Sequence, residues 1–219
     1  MRIRGKVLSI VGIMGMVAAL ITGIGLYVVT EYGHQIQRLD NSSKRALYGE
    51  SLNRHVTAVV MEARGIYAAA NTEKAKQFAE GIMTQLDEID RVISEWRPLI
   101  EAEKLPAFDA MAARAAEFRT FRAETARLGR DIDPVKANEQ GNNEANRANR
   151  KAFQAEIDTI VAADLENYEV IQGEIAGFEG TMRTLMLVTA GIGILAGTAA
   201  ALYLGTSQLA RPIGKLTLA

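Results

Sequence analysis

Two long uncharged stretches constrain this chain more than anything else in it. One is "VLSIVGIMGMVAALITGIGLYVV", from Val7 to Val29. The other is "LMLVTAGIGILAGTAAALYL", from Leu185 to Leu204. A helix of ~20 apolar residues matches the hydrocarbon thickness of a bilayer, so each stretch predicts a transmembrane helix. The first is too long for the apolar core of a secretory signal, and no small-residue cleavage motif follows it before "TEYGHQIQRLD". It therefore predicts an uncleaved anchor. Arg2, Arg4 and Lys6 precede the first stretch, while Arg211 and Lys215 follow the second. Basic flanks stay cytoplasmic, so both termini are expected inside and the intervening segment outside. Arg183, on the outer flank of the second stretch, opposes that bias slightly. In a bacterium the arrangement is that of a two-span inner (cytoplasmic) membrane protein with its central domain in the periplasm. Gly15, Ala19 and Gly23 in the first stretch, and Gly193 and Gly197 in the second, have the spacing that permits close helix packing.

The expected organisation is a cytoplasmic N-terminus over 1–6, a first span over 7–29 and an external domain over 30–184. A second span over 185–206 and the opening of a cytoplasmic linker over 207–219 complete it. With 25 basic and 26 acidic residues the chain carries a net charge of −1, so no sequence-wide field recruits nucleic acid. Cysteine is absent, which excludes disulfides, thiolate metal sites and cysteine nucleophiles. His34 and His55 are the two histidines and lack the i, i+4 spacing of a metal pair. No nucleophile–base pair or phosphate loop is present, and "GIGILAG" falls within a span. The chain therefore reads as a non-enzyme without a cofactor or metal.

The external segment carries a helical period throughout. Leu52, Val56, Val59, Ala63, Ile66 and Ala70 alternate spacings of three and four, which extends the first span as one long helix to about Asn71. "NTEK" supplies a cap, and a second helix is predicted from about Glu73 to Trp96, with Phe78, Ile82, Leu86, Ile89 and Ile93 on one face. Trp96 is expected to pack at its end. Pro98 and Pro106 bracket a break containing the partly helical "LIEAEKL". A third helix covers about Ala107 to Leu128 and carries Phe108, Met111, Ala115, Phe118 and Phe121. After the turn "GRDIDP", a fourth begins near Val135. It includes Phe153, Ile157, Ile160, Ala163, Leu165, Tyr168, Ile171 and Ile175 and runs into the second span. The fold class expected is all-α. Its form is an antiparallel up-down four-helix bundle whose first and last helices are continuous with the transmembrane helices.

Beside the apolar face of the first helix runs a mostly polar stripe: Asn53, Thr57, Val60, Arg64, Tyr67 and Asn71. It suits an interface or a wet cleft. Near the start of the fourth helix, Asn142, Asn146 and Asn149 lead to Phe153 at spacings of four, three and four. Asparagine is a poor interior helix residue, so its repetition asks for a reason. One reason is a polar pocket wall; others are a solvated face or a register-fixing buried amide. A helical rise of ~1.5 Å per residue brings Arg64 to a depth similar to that of Asn142–Asn146. There its guanidinium is a planar double donor for a carboxylate.

The chain closes on "LARPIGKLTLA". Pro212 is suited to the first turn of a new helix, and Ile213 and Leu216 begin an apolar seam. "RPIGKLT" directly after a second span resembles the opening of a HAMP linker. The stretches "VVMEARGIY" and "GNNEANRANRKAFQ" complete a resemblance to the sensory half of bacterial methyl-accepting chemotaxis proteins of the four-helix-bundle class. The resemblance implies a homodimer formed through the first helix and a small periplasmic ligand bound near its distal end, between subunits. It also implies relay through the second span to Pro212, Ile213 and Leu216, and kinase coupling through a cytoplasmic part beyond Ala219. Arg64 corresponds to the first pocket arginine of the amino-acid-sensing members. Their two further arginines fall at Ala69 and Glu73 here, a departure from aspartate- or serine-like recognition. The candidate ligand residues are thus Val60, Arg64, Tyr67, Asn142, Asn146 and Asn149, and a carboxylate is the class Arg64 suits. Two outputs other than chemotaxis fit the same sensor, a histidine kinase or a nucleotide cyclase. A two-span structural protein without a ligand and a sensor of a periplasmic binding protein are further alternatives.

Overall fold

The computed structural model describes residues 3–204 and 206. Among them there is no strand. Five α-helices are joined by short turns: α1 (Ile3–Ala68), α2 (Thr72–Trp96), α3 (Leu105–Asp131), α4 (Pro134–Gly141) and α5 (Glu144–Leu204). Two 3₁₀ turns, Arg97–Leu99 and Ala102–Lys104, occupy the proline-bracketed segment between α2 and α3. The chain divides into two compact units. One comprises Met1–Gln37 with Ile171–Ala219, and the other is Arg38–Val170. Helices α1 and α5 supply residues to both.

In the first unit the two helices are long and apolar enough to cross a membrane. Their large apolar side chains, among them Leu20, Leu26, Ile194 and Leu195, are exposed. A side-chain carbon on Gly193 would come within 2.7 Å of Val17, so this glycine lets the two helices approach. Gly15, Gly23 and Gly197 have no such neighbour. Tyr27 and Phe178 meet edge-on with ring centroids 6.3 Å apart.

The second unit has a single apolar core. Leu52, Val56, Val59, Ala63 and Ile66 of α1 pack with Ala75, Ala79, Ile82, Leu86, Ile89, Val92 and Trp96 of α2. Phe108, Met111, Ala115, Phe118 and Ala126 of α3, Ala137 of α4, and Phe153, Ile157 and Val161 of α5 complete it. The expected period is that of the core for Leu52–Ile66 of α1, for Ile82, Leu86 and Ile89 of α2 and for Phe108–Phe118 of α3. Phe78, Ile93, Phe121 and Ile160, by contrast, are only partly buried, and Ala75, Ala79 and Val92 take core positions on α2. Contacts between neighbouring helices run in opposite chain directions. Going up α1, His55 meets Gln85 and Gly65 lies against Phe78 of α2. Along α5, Asp164 meets Arg45 and Asp158 meets Asn53. Trp96 is fully buried and stands edge-on to Phe108 at 5.3 Å. Asn71 caps α2 by accepting from the Lys74 N–H at 3.0 Å, as "NTEK" suggests.

Three expectations are corrected. The expected fourth helix is two helices, broken at Asn142–Asn143. On α5, Ala163 and Leu165 are exposed, while Val161 and the charged Asp164 are buried in the face they were expected to share. Ala70 lies beyond the end of α1 and is exposed. Pro212, Ile213 and Leu216 lie outside the described residues.

Candidate functional site

The break between α4 and α5 explains most of the asparagine-rich stretch. Asn143 stands immediately before α5, and its side-chain oxygen accepts from the Asn146 N–H at 3.0 Å, the geometry of a helix N-cap. The side-chain amides of Asn143 and Asn146 both donate to the Gln140 carbonyl, at 3.0 and 2.8 Å. That carbonyl lies in the last turn of α4, where the helix supplies no partner of its own. Arg147 donates to the carbonyl and side-chain oxygens of Asn142. Asn142 is thus a helix-ending residue rather than an interior one. Asn142 and Asn149 are exposed and Asn146 is half-buried.

The polar stripe of α1 also has intrachain partners. Asn53 donates to Asp158 at 2.6 Å, and Gln154 donates to Thr57 at 3.5 Å, both across to α5. Val60 is half-buried. Arg64 is exposed, and its guanidinium lies 4.0 Å from the Met61 sulfur. Tyr67 points inward, to a residue that the sequence reading did not single out.

That residue is Arg122. It lies on α3, 5% exposed, and donates from Nη1 to the Tyr67 hydroxyl at 3.3 Å. Its Nε has no hydrogen-bond partner, and no carboxylate among the described residues pairs with it. The guanidinium stacks near the rings of Phe118 and Phe121, 5.5 and 5.4 Å from their centroids. Such contacts contribute ~2 kcal/mol or more when desolvated, against several kcal/mol for burying an unpaired ion. Burial accordingly pushes the guanidinium below its ordinary pKa. The Tyr67 hydroxyl opposes that shift, and nearby Arg150 adds to it. Burial raises the Tyr67 phenol, against the pull of Arg122.

The surroundings are polar and tightly fitted. Thr125, one turn on from Arg122, donates to the Gln140 side-chain oxygen at 2.7 Å, and the Gln140 amide donates to the Phe121 carbonyl at 3.3 Å. Gly141 leaves room for the Tyr67 hydroxyl, which an added side-chain carbon would overlap. The buried side-chain oxygen of Asn138 on α4 has no partner. Tyr67 and Asn146, two of the residues anticipated from the sequence, thus belong to two neighbouring hydrogen-bonded groups, Tyr67 with Arg122 and Asn146 with Gln140 and Thr125, which approach each other at Gly141. Chemically the pair offers the unpartnered donor of the Arg122 guanidinium beside the Tyr67 phenol, with Arg150 nearby; the amides of Gln140, Asn143 and Asn146 are already engaged within the chain. That is a donor set for a carboxylate.

A signal for Arg122 was available. Phe108, Met111, Ala115, Phe118, Arg122, Thr125 and Gly129 repeat at alternating spacings of three and four, and all are buried. A search for apolar residues ends that seam at Phe121; a search for position alone carries it through the arginine.

Comparisons with protein-family models, with curated proteins and with solved structures found no match.

Proposed function

We propose that this chain is the sensory half of a two-span bacterial membrane receptor of the methyl-accepting chemotaxis class. On this reading residues 30–184 form a periplasmic antiparallel four-helix bundle that dimerises through α1. The bundle takes up a small carboxylate near the α4–α5 turn. A shift of α5 then passes through the second span to the linker that opens at Pro212. The observation that supports the ligand class best is the buried guanidinium of Arg122, charged and without an acidic partner. The two apolar helices support the membrane assignment, and the HAMP-like "RPIGKLT" supports the relay. A ligand can move such an equilibrium only by the difference in its affinity for the two states, so its anchor belongs where helices meet. Arg122 on α3, Tyr67 on α1 and Asn146 on α5 satisfy that condition.

The test is a chimera. The chain is joined after Ala219 to the kinase-coupling half of a chemoreceptor, in cells without receptors of their own, and kinase output is read against acetate, succinate, malate and aspartate. At least one carboxylate is expected to change output in a saturable way, and Arg122→Met is expected to abolish the change while leaving basal output measurable. Loss of the response in Arg64→Ala with retention in Arg122→Met would instead place the ligand at the dimer face. No response to any carboxylate from a chimera that controls the kinase would contradict the reading.

A further inference from the structure

Within the first unit, α1 and α5 leave an open groove of about 490 Å³ between them. Its apolar part is formed by Val28 of α1 and by Met182, Met186 and Leu187 of α5. Tyr32 and Phe178 flank it, and two charged residues of α5, Glu179 and Arg183, line it as well. Both charged residues are exposed, so each is reached without any opening of the fold. They stand one helical turn apart, yet no ion pair forms between them, and neither pairs with another side chain among the described residues. Arg183 lies just before the apolar stretch Leu185–Leu204, and Tyr32 just after the stretch Val7–Val29.

With both helices spanning a bilayer, that position is the level of the lipid headgroups, where tyrosine and snorkelling arginine are at home. Lipid fills a groove there, and the two charges decide which lipid fits. Arg183 is the nearer to the apolar stretch, and helical rise puts Glu179 ~6 Å further out. A zwitterionic phospholipid carries its charges in the same order, the phosphate next to the glycerol and the ammonium an ethylene link beyond. A guanidinium is a planar double donor for a phosphate. A carboxylate accepts N–H bonds from a primary ammonium. Phosphatidylcholine has no N–H to donate, and phosphatidylglycerol has no cation. The flexible thioethers of Met182 and Met186 suit the irregular surface of an acyl chain.

We propose that this groove is a binding site for a phosphatidylethanolamine of the outer leaflet, its phosphate on Arg183, its ammonium on Glu179 and an acyl chain along Val28, Met182 and Met186. A lipid seated there touches both helices at the entrance to the second span. The site rests on the reading of the two apolar helices as membrane spans. It uses none of the residues around Arg122 and does not depend on the carboxylate reading.

The test uses the full chain in phosphatidylcholine nanodiscs, labelled with ¹³C at the methionine methyls. Phosphatidylethanolamine or phosphatidylglycerol with the same acyl chains replaces a rising share of the host lipid. Phosphatidylethanolamine is expected to shift the Met182 and Met186 methyl signals along a saturating curve. Its half-saturation is expected at a mole fraction about threefold lower than phosphatidylglycerol requires, the scale of one exposed ion pair. Glu179→Gln is expected to erase that preference, and Arg183→Gln to weaken both lipids. Both residues are exposed, so neither change is expected to disturb the fold. Shifts that grow linearly with mole fraction, equal curves for the two lipids, or a preference that survives Glu179→Gln would each overturn the proposal. Amide exchange at Leu20 and Ile194 is read in the same samples. Slow exchange there means that the helices span the bilayer, so such a failure counts against the lipid site alone. Fast exchange at both would remove the membrane reading and the site with it.

Discussion

Replacing Arg122 with methionine is expected to make the ligand-free protein more stable, by about 1–2 kcal/mol, while removing its response to carboxylates. The unpaired guanidinium is the least compensated group in the second unit: 5% exposed, with a free Nε and only a hydroxyl for a partner. Replacing buried ionic groups with well-packed apolar ones often gains ~1–4 kcal/mol. That figure is net of the interactions lost, here the contacts with Phe118 and Phe121 and the hydrogen bond to Tyr67. Methionine keeps most of the volume and its sulfur packs well against aromatic rings. What it cannot keep is the partner of the Tyr67 hydroxyl. The double variant with Tyr67→Phe is therefore expected to be more stable still. In a chain of this size each kcal/mol moves the thermal midpoint by about 2–4 °C, so a nanodisc-embedded sample resolves the difference. A large loss of stability in Arg122→Met would mean that the guanidinium is a structural group after all.

Arg45→Ala is expected to act in the opposite direction and more strongly. Arg45 and Asp164 are 3% and 2% exposed, and their 2.8 Å contact joins α1 to α5 across the core. Removing one partner of a buried pair leaves the other charged and alone, at about 3–5 kcal/mol. The deficit is expected to shrink as the pH is lowered. Burial already raises the Asp164 carboxyl, with Arg45 and Lys104 opposing and Glu101 reinforcing. A folded-state pKa above the unfolded one means that the folded form holds this proton more tightly. The penalty from Asp164 is therefore largest above its folded pKa and vanishes below the unfolded value. Without Arg45 the folded value rises further, so thermal midpoints of variant and parent should converge toward acid. A constant difference from neutral pH down to about pH 4 would show that Asp164 is not the group left stranded.

These two arginines mark what the sequence conceals. Helix periodicity was legible where every seam position is apolar, as in Leu52 through Ile66 and Ile82 through Ile89, because nothing but a buried helix face explains that spacing. The cap at Asn71 was legible for a local reason: its partner, the Lys74 N–H, is three residues away. Arg122 and Asp164 sit at seam positions too, but a charged residue at such a position looks like the edge of the seam until its neighbours in space are known. Arg45 makes sense only through Asp164, which is 119 residues away in the chain. The asparagine cluster is conspicuous, and helix capping adds a cause that spacing alone does not reveal. Two helix ends meeting at Asn142–Asn143 need amide donors and acceptors for their terminal backbone groups, and the stretch supplies them. The break carries no proline or glycine pair to announce it; Gly141 ends α4 and doubles as clearance for Tyr67.

The measurement that tests the central claim most directly is thermal unfolding of the full chain in nanodiscs with rising acetate, succinate, malate or aspartate, with Arg122→Met and Arg64→Ala in parallel. A ligand that binds only the folded state stabilises it by mass action, by ~2.7 kcal/mol at a hundred times its Kd. The account predicts that at least one carboxylate raises the midpoint in proportion to the logarithm of its concentration, and that the rise disappears in Arg122→Met. A folded protein that no carboxylate stabilises, or one whose stabilisation is the same in Arg122→Met, would contradict it.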